Sequence, residues 1–270
     1  MERFASPAAG AEVEFSRIGH VALVTINRPR RMNALDPAAS EEMSAIWDRI
    51  RDDDDLWAVV LTGSGERAFC VGFDLKWAVE HPDAPLEGLT GPHGFGGLTR
   101  RLDLYKPIVA AVRGYCLGGG FELALACDLI VAGQGVSFGL PEPKVGNVAA
   151  WGGVQRLARM LPRSAANRVL LAGQTLGAQE AAALGIVYEV VPDELVLETA
   201  VALAQDMCKS APLALQATKA LYLEALDKPL SQAVAEAPRH PAMVRLQGSA
   251  DHEEGNRAFA ERREPRWSGK

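Results

Sequence analysis

Two glycine-rich turns and two glutamates are the residues of this chain whose types and placement could do chemistry. The run GYCLGGGFELALACD, Gly114 to Asp128, sets Gly118, Gly119 and Gly120 directly before an apolar run broken by one carboxylate, Glu122. Glycine is poor inside a helix and permissive in backbone angle, so the triplet predicts a turn. Leu123 to Cys127 then read as a short buried helix ending near Asp128. A helix start carries unpaired N–H groups and a partial positive charge, and with no Cβ in the way a ligand oxygen can approach them. This is an oxyanion-binding turn with a carboxylate one step inside. The same residues also fit a plain helix start, since the dipole favours a first-turn glutamate and glycines serve close packing. A second turn, CVGFDLK from Cys70 to Lys76, offers another exposed N–H where a strand ends at Gly72 and Phe73 enters a helix capped by nearby Asp74. It also fits an ordinary strand-to-helix connection. Glu142, flanked by Pro141 and Pro143, reads by itself as a surface turn.

The elements that must position these groups begin at Val13, after residues 1–12, a loose leader rich in Ala, Pro and Gly. Val13 to Ile18 and His20 to Asn27 are rich in β-branched residues and predict a hairpin. Pro29 stops the second strand in the basic turn Arg28 to Arg31, and Asp36-Pro37 opens a helix as N-cap and first position. Met43, Ile46, Trp47 and Ile50 give that helix its apolar face. Strands are predicted at 57–61, 68–71, 108–112, 129–132, 136–138 and 186–191. Residues 81–97, with three prolines and five glycines, read as a long loop of the lid type, and Leu98 to Tyr105 as a helix. Further helices are predicted over 154–161, 165–171 and 178–184. After Asp193 the strand signal stops and the chain is Ala- and Leu-rich at helical spacing over 195–208, 212–226 and 230–236, followed by a charged tail. Strands alternating with helices, then helices alone, predict an α/β core over 13–192 and a helical region over 193–270.

At 270 residues the chain can bury a large core without disulfides, and its net charge of −6 argues against a nucleic-acid partner. An anionic ligand would need a local basic cluster. Cys70, Cys116, Cys127 and Cys208 lack C-x-x-C spacing, and the five histidines do not pair with them as metal ligands, so free thiols in a reducing compartment are expected. The N-terminus has no signal-type apolar stretch and no run reaches about 18 apolar residues, which predicts a soluble cytoplasmic protein with no membrane partner.

In order and spacing, the segments NRPRRMNAL (27–35), VVLTG (59–63), AFCVGFDLK (68–76), KPIVAAVRGYCLGGGFELALACD (106–128), FGLPEPKVGN (138–147), GGVQRL (152–157), AALGIVYEVVP (182–192) and FAERREPRWSGK (259–270) resemble the crotonase superfamily, also called enoyl-CoA hydratase/isomerase. The likeness spans nearly the whole chain from Val13. It implies a crotonase-like spiral of ββα units, an acyl-CoA thioester substrate, and a helical C-terminal region joining subunits into a homotrimer or a hexamer. No separate cofactor is implied, coenzyme A being part of the substrate.

The resemblance further implies that the N–H groups of Phe73 and Gly119 form an oxyanion hole for the thioester carbonyl. Glu122 and Glu142, twenty residues apart as in the hydratases, match the two catalytic glutamates. Their joint presence raises hydration of a 2-enoyl-CoA above the other chemistries of the family, such as isomerisation, and above a silent acyl-CoA-binding trimer. Glu122 would activate water and Glu142 deliver a proton to C2. Arg28, Arg30, Arg31, Asp74, Leu75, Lys76, Trp151 and Arg262 are the candidates for contacts to the substrate, the bases among them compensating the coenzyme A phosphates. The chain departs from the family at VAAWGG, where Ala149, Ala150 and Trp151 stand in place of a proline and further glycines, and at bulky Phe73. These departures fall on the acyl group. Leu140 to Gly146 and the tail are similar to the carnitinyl-CoA dehydratase branch, though short-chain hydratases share much of both.

Overall fold

The structure, a computed structural model, describes residues 11–84 and 91–270. Residues 1–10 of the leader and 85–90 of the long loop lie outside it. The chain opens with the expected hairpin, β1 (Val13–Ile18) and β2 (Val21–Ile26), turning at Gly19. Helix α1 (Pro37–Asp52) starts where Asp36 accepts the Ala39 N–H at 3.0 Å. Next come β3 (Ala58–Gly63), β4 (Ala68–Cys70) and α2 (Leu75–Glu80), then β5 (Ile108–Val112), β6 (Tyr115–Leu117) and α3 (Gly119–Ala126). The third repetition is β7 (Leu129–Gly133), β8 (Ser137–Gly139) and α4 (Gly153–Met160). Then follow α5 (Arg163–Leu170), β9 (Leu176–Gly177), α6 (Ala178–Ala183) and β10 (Glu189–Val191).

Two strands and a helix recur, and the two strands part company each time. The first joins a six-stranded sheet ordered β1-β2-β3-β5-β7-β10, and the second a four-stranded sheet ordered β4-β6-β8-β9. Apart from the antiparallel β1–β2 and β8–β9 pairs, neighbours run parallel. Each turn of chain therefore advances one place in both sheets. That is the expected spiral of ββα units.

The central strands are buried on both faces, as their unbroken Val, Ile and Ala runs require. One face packs Trp47 and Met43 of α1 and Phe121 and Leu123 of α3 into the main core. The other face presents the alternate residues Leu23, Val60, Val109 and Val131 to α7 (Val196–Met207), which buries Val196, Ala200 and Ala204 on them. The change of composition at 193 thus does not interrupt packing: the first helix beyond it covers the sheet. Then come α8 (Pro212–Ala225), α9 (Leu230–Glu236), α10 (Pro241–Gln247) and α11 (Ala250–Glu261).

Two expectations need correction. Leu98 to Tyr105 is not a helix; a 3₁₀ turn at Phe95–Gly97 leads into irregular chain. Gly96 and Gly97 hold positive φ (56° and 64°), and a Cβ on Gly97 would fall 2.5 Å from Ser44 Cα, so backbone approach to α1 outweighs local helical spacing. The buried Arg101 completes that junction, donating to Gly97 O and Ser44 O at 2.9 and 3.3 Å. α3 is longer than expected, starting at Gly119 rather than Leu123, so two of the three glycines lie inside it. The charged tail contains α10 and α11, in keeping with a helical region, and its last residues fold back so that Asp251 accepts the N–H groups of Ser268 and Gly269. Among the described residues no helix is long and apolar enough to cross a membrane.

Candidate active site

The two glycine turns meet. Gly72 ends the β4 extension at φ 95°, and a Cβ there would lie 2.9 Å from Gly119 N. A Cβ on Gly120 would overlap the carbonyl oxygen of Cys70. The glycines are therefore required by contact between the start of α3 and the end of β4. Leu35 donates to Gly72 O and accepts from Asp74 N, both at 2.9 Å, which turns the intervening Phe73 N–H to the opposite side. Among the described residues, neither Phe73 N–H nor Gly119 N–H donates in the turn, loop and cap hydrogen bonds. Both residues line the same cavity.

Glu122 sits one turn into α3 with no exposed surface. Its Oε1 accepts the Gly153 N–H at 2.8 Å, while Oε2 is buried without a protein partner. Burial pushes its carboxyl up to about 7; the Gly153 N–H opposes that shift and Glu142 adds to it. Glu142 opens the 3₁₀ turn Glu142–Val145, half-buried, and it too has a buried Oε2 without a protein partner. Burial raises this carboxyl as well. A Cβ on Gly118 would lie 3.1 Å from Glu142 Oε1, so the second carboxylate rests against the glycine triplet. Two carboxyls lifted toward neutrality beside one turn can divide the roles of base and acid. Buried acceptors without a protein partner are places for water or ligand donors.

The cavity measures about 480 Å³ and its walls include Phe73, Leu75, Trp77, His81, Gly118, Gly119, Glu142, Val148 and Trp151. Trp151 is both wall and packing: it stacks on Phe95 with centroids 4.7 Å apart and lies 6.1 Å from Phe73 at a 51° tilt. Trp77 meets Phe73 nearly at right angles, 5.9 Å away. Among the described residues no lysine or arginine lines the cavity.

The candidate substrate contacts divide. Leu75 and Trp151 line the cavity, Leu75 being 62% exposed. Arg28 is buried and committed to Asp36 at 2.6 Å and Asp74 at 3.3 Å. Asp74 also pairs with Arg31 and caps α2 through the Lys76 and Trp77 N–H groups. Arg28 and Asp74 therefore brace the Phe73 turn. Arg30, Arg31 and Lys76 remain at the surface of that turn, and Arg262 is exposed at the end of α11, outside the cavity lining. Sequence reasoning missed Trp77, His81, Phe95 and the Gly153 N–H. The last had a signal, because Gly152-Gly153 before an apolar run repeats the logic of the triplet.

The family model described as enoyl-CoA hydratase/isomerase matches residues 17–270. The carnitinyl-CoA dehydratase of Citrobacter koseri is 42% identical over 265 residues, 96% of this chain and 98% of that one. That of Escherichia coli K12 is 41% identical over the same shares. Among solved structures, an enoyl-CoA hydratase from Mycobacterium tuberculosis H37Rv superposes with a TM-score of 0.88 at 39% identity, covering 96% of this chain and all of that one. An enoyl-CoA hydratase from Bacillus anthracis gives 0.85 at 31%, with 96% and 100% covered. With its spiral of ββα units and these likenesses over almost its full length, the chain belongs to the enoyl-CoA hydratase/isomerase family of the crotonase superfamily, whose enzymes act on acyl-CoA thioesters.

Proposed function

We propose that the protein is an enoyl-CoA hydratase, adding water reversibly and syn across a 2-trans-enoyl-CoA thioester. One observation carries this: two glutamates, each with a buried oxygen that has no protein partner, stand against the same glycine turn as two free N–H groups. The thioester oxygen accepts from Phe73 N–H and Gly119 N–H, which stabilise the enolate charge as it forms; one such donor contributes about 2.7–4 kcal/mol. Glu122, held by the Gly153 N–H, takes a proton from water as its oxygen bonds to C3. Glu142 gives a proton to C2. A proton passing from Glu122 to Glu142 restores the pair. Dehydration runs the same steps backward.

The test follows crotonyl-CoA by loss of its conjugated thioester absorbance. E122Q and E142Q should each retain thioester binding and lose at least about a hundredfold in turnover. Near-normal turnover in either variant removes the assignment.

A second reading concerns the acyl group. Phe73, Trp77 and Trp151 set ring planes at wide angles around a cavity without basic residues among those described, an arrangement suited to a cationic head held by π faces, about 0.5–2 kcal/mol per contact. This fits the dehydration of a 3-hydroxyacyl-CoA bearing a quaternary ammonium, the chemistry in the names of the curated relatives. Comparing kcat/KM for carnitinyl-CoA and 3-hydroxybutyryl-CoA decides it: a preference for the uncharged thioester ends this reading. The assembly that best suits the exposed Leu230, Val234 and Phe259 is a homotrimer or dimer of trimers, and a monomer mass by light scattering would refute it. Its unpaired cysteines suit a cytoplasmic setting.

A further inference from the structure

The segment Gly152-Gly153-Val154-Gln155-Arg156 has no part in the mechanism above beyond one N–H, yet its two glycines are each required for a different reason. Gly153 donates to Glu122 Oε1 at 2.8 Å, and a Cβ on it would lie 3.0 Å from Glu122 Cγ. Gly152 holds φ 114°, and a Cβ on it would overlap the Arg156 guanidinium. Consecutive residues of one helix start thus make room for a carboxylate and for a guanidinium. Arg156 N–H closes the same turn on Gly152 O at 2.9 Å.

The guanidinium is unusually placed. It is half-buried, and its Nη2 donates to the main-chain Thr99 O at 2.9 Å. Among the described residues no carboxylate forms an ion pair with it, whereas the buried Arg28 and Arg101 both have acidic partners. A half-buried cation without a carboxylate partner carries a desolvation cost that no ion pair offsets, and its field acts on the groups around it. The turn it shares with Gly153 sets its charge beside Glu122, and its field also reaches Cys127 just past α3, with burial itself disfavouring that charge. Glu122 in turn faces Glu142 from the 3₁₀ turn, the N–H groups of Trp151 and Gly153, and Arg156. Cys127 is a partly buried thiol whose desolvation raises it well out of the physiological range, so it offers Arg156 no counter-charge.

We propose that Arg156 is a positioning residue for Glu122: through the shared Gly152–Gly153 turn, its unpaired cation keeps the neighbouring glutamate ionised and oriented as the base. The sign is simple. Burial and Glu142 both favour protonated Glu122; the Gly153 N–H and the Arg156 charge favour the carboxylate. Removing the cation leaves a larger share of enzyme with its base already protonated at neutral pH. The tie to Thr99 gives a second consequence, because the chain from Phe95 to Arg101 carries the ring under Trp151 and Gly119.

This inference rests on the hydratase reading for its consequence but not for its measurement. Glu122 ionisation is read by infrared difference titration, using E122Q to subtract other carboxyls, in wild type, R156K and R156Q. The expected result is a Glu122 midpoint raised by roughly half a unit to one unit in R156Q and left at the wild-type value in R156K. Where crotonyl-CoA is turned over, the acid limb of kcat should move with that midpoint and KM should stay within about twofold. A midpoint unchanged in R156Q, even with a lowered melting temperature, overturns the proposal and leaves Arg156 as a strap between α4 and the Thr99 segment. R156M, neutral with a similar stem, is the second variant; if it and R156Q both fail to fold while R156K folds, the charge serves the fold and the proposal falls. A shifted midpoint in a protein inactive on crotonyl-CoA would sink the hydratase reading and keep this one.

Discussion

Substituting Gly120 by alanine probes the junction of the two turns with one methyl group. Its Cβ would overlap Cys70 O, with Cys70 carbonyl carbon at 2.5 Å, and that carbonyl belongs to β4, clamped to β6 on one side and to the Asn33 amide through Ala68 O on the other. Backbone so held cannot yield by a rotamer change, so α3 must move off β4. Overpacking of this kind costs about 1–3 kcal/mol of stability. The larger effect is on rate. Gly119 N–H lies at the moving end of α3 and Phe73 N–H at the fixed end of the β4 turn, so separation of the helix opens the distance between the donors. Loss of one donor is worth about 2.7–4 kcal/mol, a fall in kcat of roughly a hundred- to a thousandfold. G119A is the informative comparison, because its methyl group meets the Phe95 ring at 2.8 Å, a side chain that can shift with Trp151 rather than a strand backbone held by hydrogen bonds. It should lose less, about tenfold. G177A, with nothing within 4 Å of its added Cβ, is the control and should be near wild type. Steady-state hydration of crotonyl-CoA, with circular dichroism to confirm folding, is the assay. A folded G120A with kcat within tenfold of wild type, or one better than G119A, would refute the reasoning.

Two further outcomes follow from buried charge. A carboxyl raised from 4.5 to about 7 binds more protons folded than unfolded over that interval, so Glu122 lowers stability as pH rises from about 4.5 to 7, by up to about 3 kcal/mol. E122Q should therefore gain in melting temperature over wild type at pH 8 and lose that advantage near pH 5; equal shifts at both would contradict the burial argument. R28M leaves Asp36 and Asp74 without their buried partner and should cost about 3–5 kcal/mol in denaturant unfolding. If R28M instead unfolds like wild type and only raises KM for the thioester, Arg28 is a ligand contact after all.

What was legible in the sequence was what local chemistry dictates. Asp36-Pro37 and Asp74 mark helix starts by capping, and those two helices begin where they say; the glycine triplet marks a helix start too, but α3 begins at Gly119, four residues before the expected Leu123. Long-range demands were not legible. Gly96 and Gly97 adopt positive φ because Ser44, some fifty residues earlier, comes close, and nothing between Leu98 and Tyr105 records that. In and after α11 the charges of the tail are spent on one another, Glu254 accepting from Arg257 and Arg263, which the sequence does not record. At the site, types and spacing offered Glu122 and the glycines, but Glu142 beside Gly118 is a tertiary fact that only the family resemblance supplied beforehand. Arg28 looked like a free base in a basic turn; its burial against two aspartates needed the fold.

The stack of Trp151 on Phe95, and of Phe95 under Gly119, ties two properties that an evolving enzyme would want to alter separately. A smaller residue at 151 enlarges the acyl space, but it also frees the ring on which a donor turn rests. Selection for a bulkier substrate would then carry a loss of turnover with it, recoverable only by a compensating change at 95. Trp77 carries the same kind of tie to the other donor residue, Phe73, so new specificity accumulates more freely at Val145 and Val148, exposed on the cavity wall and outside these ring contacts.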